Sequence, residues 1–278
     1  MIEINGLYRS YNKTEVLKNV TLCFEPGTFT AVLGRNGSGK STLARHINAI
    51  LRPQQGYVKV DGLDTSDDSL VYDIRERAGM VFQNPESQAV ASIVEDDTAF
   101  APENLGLDNR EIIKRVNSAL RDVGIEHLRA QPISTLSGGQ KQLTAIAGIL
   151  AMRPGYMIFD EGTSMLDPIS RKRVADCVKR LKKELGLAVI WITHYMEEAV
   201  KADRVIIMDG GVIKADGTPE KVFSDTELIE SSGLELPPSA RLCIQLRKEG
   251  FDIPIALNPE KCAKEIHHLA ERLREAKR

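Results

Sequence analysis

No excess of basic residues marks this chain. Its 37 Lys and Arg stand against 39 Asp and Glu, a formal charge of −2 with a pI near 6.3, so whole-chain electrostatics give no reason to expect a nucleic acid partner. Cys23, Cys177, Cys243 and Cys262 are scattered, with neither C-x-x-C nor zinc spacing, and read as reduced thiols of a cytoplasmic protein. No apolar run approaches the roughly 18 residues of a spanning helix, and no charged-then-apolar leader follows Met1. Any membrane involved is therefore expected to be spanned by another subunit. Internal repeats and low-complexity tracts are missing as well. What remains is a globular chain of 278 residues, 42% apolar and 27% charged, enough for one large domain with an appendage or for two small domains.

Apolar strand-like runs alternate with helix-period segments, the pattern of a mostly parallel α/β sheet covered by helices. "FTAVL" (29–33) leads into "GRNGSGKST" and then a helix through "LARHINAIL" that is expected to stop before Arg52-Pro53. "GMVFQ" (79–83), "GYMIFDE" (155–161) and "LAVIWITH" (187–194) read as further strands. Between 83 and 155 lies a helical interlude. Asp108 with Glu111 forms a capping box there, Ile112, Ile113, Val116, Leu120 and Val123 fall on one face, and Gly124 supplies the stop. Asp167-Pro168 reads as an N-cap followed by proline at the first helical position, opening a helix that ends at Gly186. A hairpin is expected at Asp209-Gly210-Gly211. After residue 225 the composition loosens, and two short amphipathic patterns, "ARLCIQLRKEG" and "EKCAKEIHHLAERL", form a separate appendage over 226–278.

Gly34-Arg35-Asn36-Gly37-Ser38-Gly39-Lys40-Ser41, followed by Thr42, fits G-x-x-x-x-G-K-[ST] between a strand and a helix. Glycines let the backbone turn its N–H groups onto phosphate oxygens at the positive end of a helix dipole. Lys40 is expected to neutralise the terminal phosphates of the ligand, and the Ser41 hydroxyl to ligate Mg²⁺. "YMIFDE" ends in two acids whose side chains, on a pleated strand, point to opposite faces. Asp160 is expected to hold Mg²⁺ through its water shell, and Glu161 to face the attacking water. His194 and Gln83 close two more strands at the same sheet edge, where open α/β sheets bind ligands. A second glycine cradle, "LSGGQ" (Ser137, Gly138, Gly139 and Gln140 after Leu136), opens a helix but has no phosphate-loop lysine of its own.

In this order the motifs resemble the ATP-binding subunits of ABC transporters, up to about residue 225. The resemblance adds Tyr11 as the aromatic that stacks on adenine, with Tyr8 as the alternative. It makes Gln83 the Q-loop ligand, "LSGGQKQ" the signature, Asp167 of "SMLD" the D-loop acid and His194 the H-loop histidine. It implies a P-loop NTPase fold of the ABC ATPase kind: a RecA-like core over 1–225 with an N-terminal antiparallel β portion, and a helical signature subdomain at about 84–150. "VFQNPESQ", "EDDTAFAPENLGL", "EGTSMLDP", "ITHYMEEA" and "LPPSARL" are similar to stretches of the energy-coupling-factor group, whose ATPases drive uptake of vitamins or of cobalt and nickel ions.

The resemblance implies two ATPase subunits, identical or paralogous, facing head to tail, with each ATP between one chain's phosphate loop and the other's signature. It further implies a transmembrane scaffold subunit and a substrate-binding membrane subunit as partners, and a peripheral place on the cytoplasmic face of the cell membrane. The loop after Gln83, with Asn84, Pro85, Glu86 and Gln88, helps receive the scaffold's coupling helix, or is plain turn chemistry. The appendage contributes to contact between the ATPases. Two positions depart from the family pattern. Gly162 stands where many members have proline and is expected to loosen the loop after Glu161; Leu143 stands where arginine is common and is expected to cost an ion pair. A conventional ABC importer or exporter ATPase, or a soluble ABC ATPase of translation or DNA repair, shares the catalytic residues; the latter normally carries a second nucleotide domain or a long insertion, and this chain has neither.

Overall fold

The computed structural model describes residues 1–275. Its strands are β1 Ile2–Tyr11, β2 Thr14–Phe24, β3 Phe29–Leu33, β4 Gln55–Val60, β5 Leu63–Asp64, β6 Ala78–Val81, β7 Tyr156–Asp160, β8 Ala188–Ile192, β9 Arg204–Asp209 and β10 Val212–Gly217. Helices α1 Lys40–Ile47, α2 Val71–Arg77, α3 Pro85–Gln88, α4 Val94–Asn104, α5 Asn109–Asp122 and α6 Gly138–Leu150 precede β7. After it come α7 Pro168–Leu185, α8 Met196–Ala199, α9 Pro219–Ser224, α10 Thr226–Ser231, α11 Pro238–Lys248 and α12 Pro259–Glu275.

Two sheets result, one in the order β2-β1-β4-β5 and one in the order β10-β9-β3-β8-β7-β6. The first is antiparallel. In the second β9, β3, β8, β7 and β6 run parallel, and β10 adds an antiparallel edge. Because side chains alternate along a strand, a sheet covered on both faces must be apolar throughout. The central strands comply: Ala31, Leu33, Met157, Phe159, Val189 and Trp191 face the helical core, while Val32, Ile158, Ile190, Ile192 and Ile206 face the core shared with the antiparallel sheet. This layering brings the carboxyl ends of β3, β6, β7 and β8 to one edge.

Several local expectations need correction. The first helix ends at Ile47, well before Arg52, because Ala49 adopts a left-handed backbone with φ 52°. Asp108 caps α5 by accepting from the backbone N–H groups of Arg110 and Glu111, but the reciprocal half of the box is not made: Glu111 turns to Arg115 and Arg153 instead. Ile113 is 58% exposed, off the buried stripe of Ile112, Val116 and Leu120. Helix α4, which holds Pro102, had no periodic signal to announce it.

The hairpin turns at Gly210 and Gly211, with φ of 56° and 87°. Asp167 caps α7 through Ile169 and Ser170, and Gly186 ends it. The C-terminal segment has a small core of its own around Cys243, Ile253 and Cys262. Ile229, Ala240 and Leu257 nevertheless pack into the main core, so the appendage is fastened to the rest of the chain.

His46, fully buried on α1, adds a pH dependence. Its Nδ1 lies 2.7 Å from the Thr42 carbonyl, which assigns the proton there, and its Nε2 has no partner. Burial, and secondarily the nearby Arg9 cation, hold its pKa below the ordinary value even against that hydrogen bond. The folded chain thus binds fewer protons than the unfolded one. Stability is complete above the unfolded value of about 6.5 and is lost as pH falls from there toward the depressed folded value. Thermal unfolding of His46→Gln should show a flatter acid limb below about pH 6.5 than the unmodified chain.

Candidate active site

The phosphate loop begins where β3 ends. Gly37 and Gly39 take φ of 82° and 102°, and a Cβ on Gly39 would lie 2.8 Å from the Val16 carbonyl oxygen, so glycine is required by space as well as by conformation. Lys40 is 4% exposed and its ammonium donates to the Gly34 and Arg35 carbonyls at 2.8 and 2.9 Å. Burial lowers its pKa, while Glu161 and Asp160 oppose that shift. The Ser38 hydroxyl is buried and without a partner. An orphaned donor inside a glycine nest is a site built for an anion.

A cleft of about 420 Å³ opens over this loop, lined by Tyr11, Lys40, Ser41, Thr42, Gln83 and Glu161 among others. Tyr11, 39% exposed, carries the Arg9 guanidinium 5.0 Å from its ring centroid; Tyr8 does not line the cleft. Ser41 Oγ donates to Asp160 Oδ1 at 2.6 Å. Asp160 is 7% exposed, and burial raises its pKa despite that hydrogen bond and nearby Arg45. A hydroxyl, a carboxylate and the Gln83 amide are hard oxygen donors of the kind Mg²⁺ takes, usually completed by phosphate oxygens. No cluster of three His, Cys, Asp or Glu able to hold a metal exists among the described residues.

Glu161 corrects the pleat argument. Strand β7 ends at Asp160, and Glu161 leaves it with φ 53°. The acids are separated by a turn into the left-handed region, a conformation that costs a non-glycine residue on the order of 1–3 kcal/mol and clusters at active sites. Glu161 Oε2 lies 3.9 Å from His194 Nδ1, within ion-pair range but beyond a hydrogen bond. A second cleft of about 970 Å³ continues from Gln83, Glu161 and His194 to Arg171, Tyr195 and Arg241. His194 stacks on Tyr195, centroids 4.2 Å apart. Arg171 covers the Tyr195 ring at 3.4 Å and donates to the Leu166 carbonyl, tying the histidine to the segment that holds Asp167.

The signature lies elsewhere. Ser137, Gly138, Gly139 and Gln140 line neither cleft. Ser137 and Gln140 form a capping box that opens α6, Gly138 is exposed, and Gly139 abuts Ser170 so closely that a Cβ would come within 2.9 Å of its side chain. Asp167 is likewise outside both clefts and exposed. The signature glycines thus lie apart from the cleft that holds Lys40.

A family profile described as ABC transporter matches residues 17–164. The energy-coupling factor transporter ATP-binding protein EcfA1 of Caldanaerobacter subterraneus is 54% identical over 239 residues, 86% of each chain. This chain belongs to the ABC transporter ATP-binding proteins, in the energy-coupling-factor group. It is an ATP hydrolase subunit that powers transport. Among solved structures, cbiO1 from Clostridium perfringens, part of the ABC transporter complex cbiONQ, matches with TM-score 0.75 and 37% identity over 85% of this chain and 95% of that one. The dimeric post-hydrolysis ATP-binding cassette MJ0796, bound to ADP and phosphate, matches with TM-score 0.71 and 27% identity over 79% and 99%.

Both departures from the family pattern receive a physical reading different from the one expected. Gly162 is buried, and a Cβ there would meet Gln142 Nε2 at 3.1 Å and Phe159 at 3.3 Å. Its loop is also pinned, since Ser164 donates to the Glu161 carbonyl through both N–H and hydroxyl; glycine makes room for Gln142 rather than slack. Leu143 is 5% exposed within the main core, where an ion pair would have to be buried. Gln142 itself is fully buried with neither amide atom hydrogen-bonded. Each such atom costs about 1–3 kcal/mol. Gln142→Leu should therefore raise the Tm of the nucleotide-free chain by a few degrees, measured by calorimetry.

Sequence reasoning missed Glu198, Arg171 and the Glu86–Lys141 ion pair. That pair, between side chains 67% and 15% exposed, joins the loop after Gln83 to α6. Glu86 and Lys141 are 55 positions apart, so only the fold reveals the link.

Proposed function

We propose that this chain binds ATP with Mg²⁺ and hydrolyses it in a head-to-tail pair of ATPase subunits, and that the pair drives an energy-coupling-factor importer of a vitamin or a transition-metal ion. The observation that carries the reading is the convergence of Lys40, Ser41, Asp160, Gln83, Glu161 and His194 at one sheet edge while Ser137–Gln140 lie outside it. Adenine stacks on Tyr11, the Gly34–Gly39 backbone with Ser38 and Thr42 cradles the phosphates, and Lys40 turns from the loop carbonyls to the terminal phosphates. Ser41, Asp160 and Gln83 would hold a Mg²⁺ ion, which when bound would supply positive charge to offset that of the transferring phosphoryl group. Glu161 orients the attacking water and takes its proton, and His194 donates toward the γ-phosphate. Ser137, Gly138, Gly139 and Gln140 complete the partner's site, with Asp167 at the same junction.

Residues 1–225 act as the nucleotide-binding domain, 84–150 as its signature subdomain and 226–278 as a contact to the second ATPase. Among the described residues no helix is long and apolar enough to cross a membrane. A transmembrane scaffold and a substrate-binding membrane subunit supply the translocation path, the scaffold docking near Gln83, and the chain sits peripherally on the cytoplasmic face. The name of EcfA1 and the complex to which cbiO1 belongs support this assembly. Mild detergent extraction tests it. Co-purification with one scaffold and one small membrane protein is expected; two equivalent permease subunits would place the chain in a conventional transporter.

A further inference from the structure

Glu198 is 6% exposed, on α8, and has no salt bridge among the described residues. A carboxylate taken out of water without a cation must be compensated by aimed donors. Three are present. Oε1 accepts from Thr163 Oγ1 at 2.8 Å, and Oε2 accepts from Trp191 Nε1 at 2.9 Å and from Thr193 Oγ1.

The location of the donors gives the cluster its meaning. Thr163 stands two residues after Glu161, in the turn that Glu161 enters at φ 53°. Thr193 directly precedes His194, and its hydroxyl also accepts the Tyr195 backbone N–H at 3.0 Å, so the histidine is bracketed. Glu198 joins these two segments through buried side chains, alongside the backbone bond from Glu161 N–H to the Ile192 carbonyl and the longer one from the Tyr195 hydroxyl to the Ser164 carbonyl at 3.5 Å. Its neighbour Glu197 is exposed and lines the larger cleft instead.

We propose that Glu198 is a positioning residue for ATP hydrolysis, holding the Glu161 turn and the His194 strand end in register through Thr163 and Thr193. The inference rests on the assignment of Glu161 and His194 to the chemistry. A glutamine replaces the carboxylate poorly: one of its two ends is an amide that donates, so the hydroxyl facing that end must turn to accept, and the charge that strengthens all three bonds is lost. Loss of register displaces reacting groups without touching the nucleotide. Turnover therefore falls and binding does not.

The test measures kcat, the ATP KM and Tm in the assembled transporter for Glu198→Gln, Thr193→Val, Thr193→Ser and His194→Ala, with Glu161→Gln alongside. Glu198→Gln and Thr193→Val should lower kcat roughly ten- to a hundredfold with KM within about threefold, and Thr193→Ser, which keeps the hydroxyl, should restore turnover. Combined with His194→Ala, Glu198→Gln should add clearly less than its full loss, because the part of its effect that acts through His194 is already gone and only the part through the Glu161 turn remains. An unchanged kcat in Glu198→Gln, or losses that multiply in the double variant, overturns the inference. Should Glu198→Gln fail to fold, the Thr193→Val and Thr193→Ser pair decides alone. If Glu161→Gln turns over normally, the active-site reading falls; if it is slow while Glu198→Gln and Thr193→Val are normal, only this inference falls.

Discussion

Glu161→Gln should lower ATP turnover of the assembled transporter by roughly 10²–10⁴-fold, the range that a positioned proton acceptor contributes, while leaving ATP affinity within about threefold. The asymmetry follows from placement. Glu161 lines the cleft beyond the phosphate loop and makes no hydrogen bond to the loop or to Lys40, so removing its charge leaves the nucleotide's anchors in place. Its neutral isostere also keeps the turn that Ser164 closes on the Glu161 carbonyl. Single-turnover hydrolysis with nucleotide binding measured in parallel checks both halves. Normal turnover in this variant would remove Glu161 from the chemistry.

Lys40→Ala should fail in the opposite order. The ammonium is the one buried cation of the phosphate loop, and a charge-assisted contact to phosphate is worth about 3 kcal/mol, roughly a hundredfold in Kd. In the nucleotide-free chain the same side chain only satisfies the Gly34 and Arg35 carbonyls. The substitution should therefore abolish most of the ATP-dependent rise in Tm while changing the Tm of the empty chain by far less. Two variants in one cleft, one deficient in turnover and one deficient in nucleotide binding, separate the roles assigned to the two residues.

The parts of this site written in contiguous residues are legible in the sequence alone. The glycine pattern ahead of Lys40, the apolar runs of β3, β7 and β8, and the polar residues that end them follow from period and composition. What lies beyond reach depends on residues distant in the chain or on one backbone angle. Ala49 ends α1 early through a left-handed φ that alanine does not advertise. Ile113 satisfies a helical period, yet the face it occupies meets solvent. Glu198 is one of two adjacent glutamates, and only burial against Thr163, Trp191 and Thr193 distinguishes it from Glu197. Gly162 reads as slack in isolation and becomes a space requirement once Gln142 is seen beside it.

The central claim is that each ATP is held by two chains, Lys40 from one and the signature from the other. Its most direct test places two lesions, Lys40→Ala and Gly138→Asp, in defined arrangements within the ATPase pair. Gly138 is exposed and its position tolerates a Cβ, the nearest contact being Leu166 at 3.4 Å, so the aspartate adds charge at the cradle without disturbing the helix start. With the lesions on opposite chains, both fall in one shared site, the other stays whole, and ATP turnover should persist. With both on the same chain opposite an unmodified partner, each site carries one lesion and turnover should vanish. The reverse result, activity with both lesions on one chain and none when they are divided, would mean that each chain carries a self-contained site and would contradict the account.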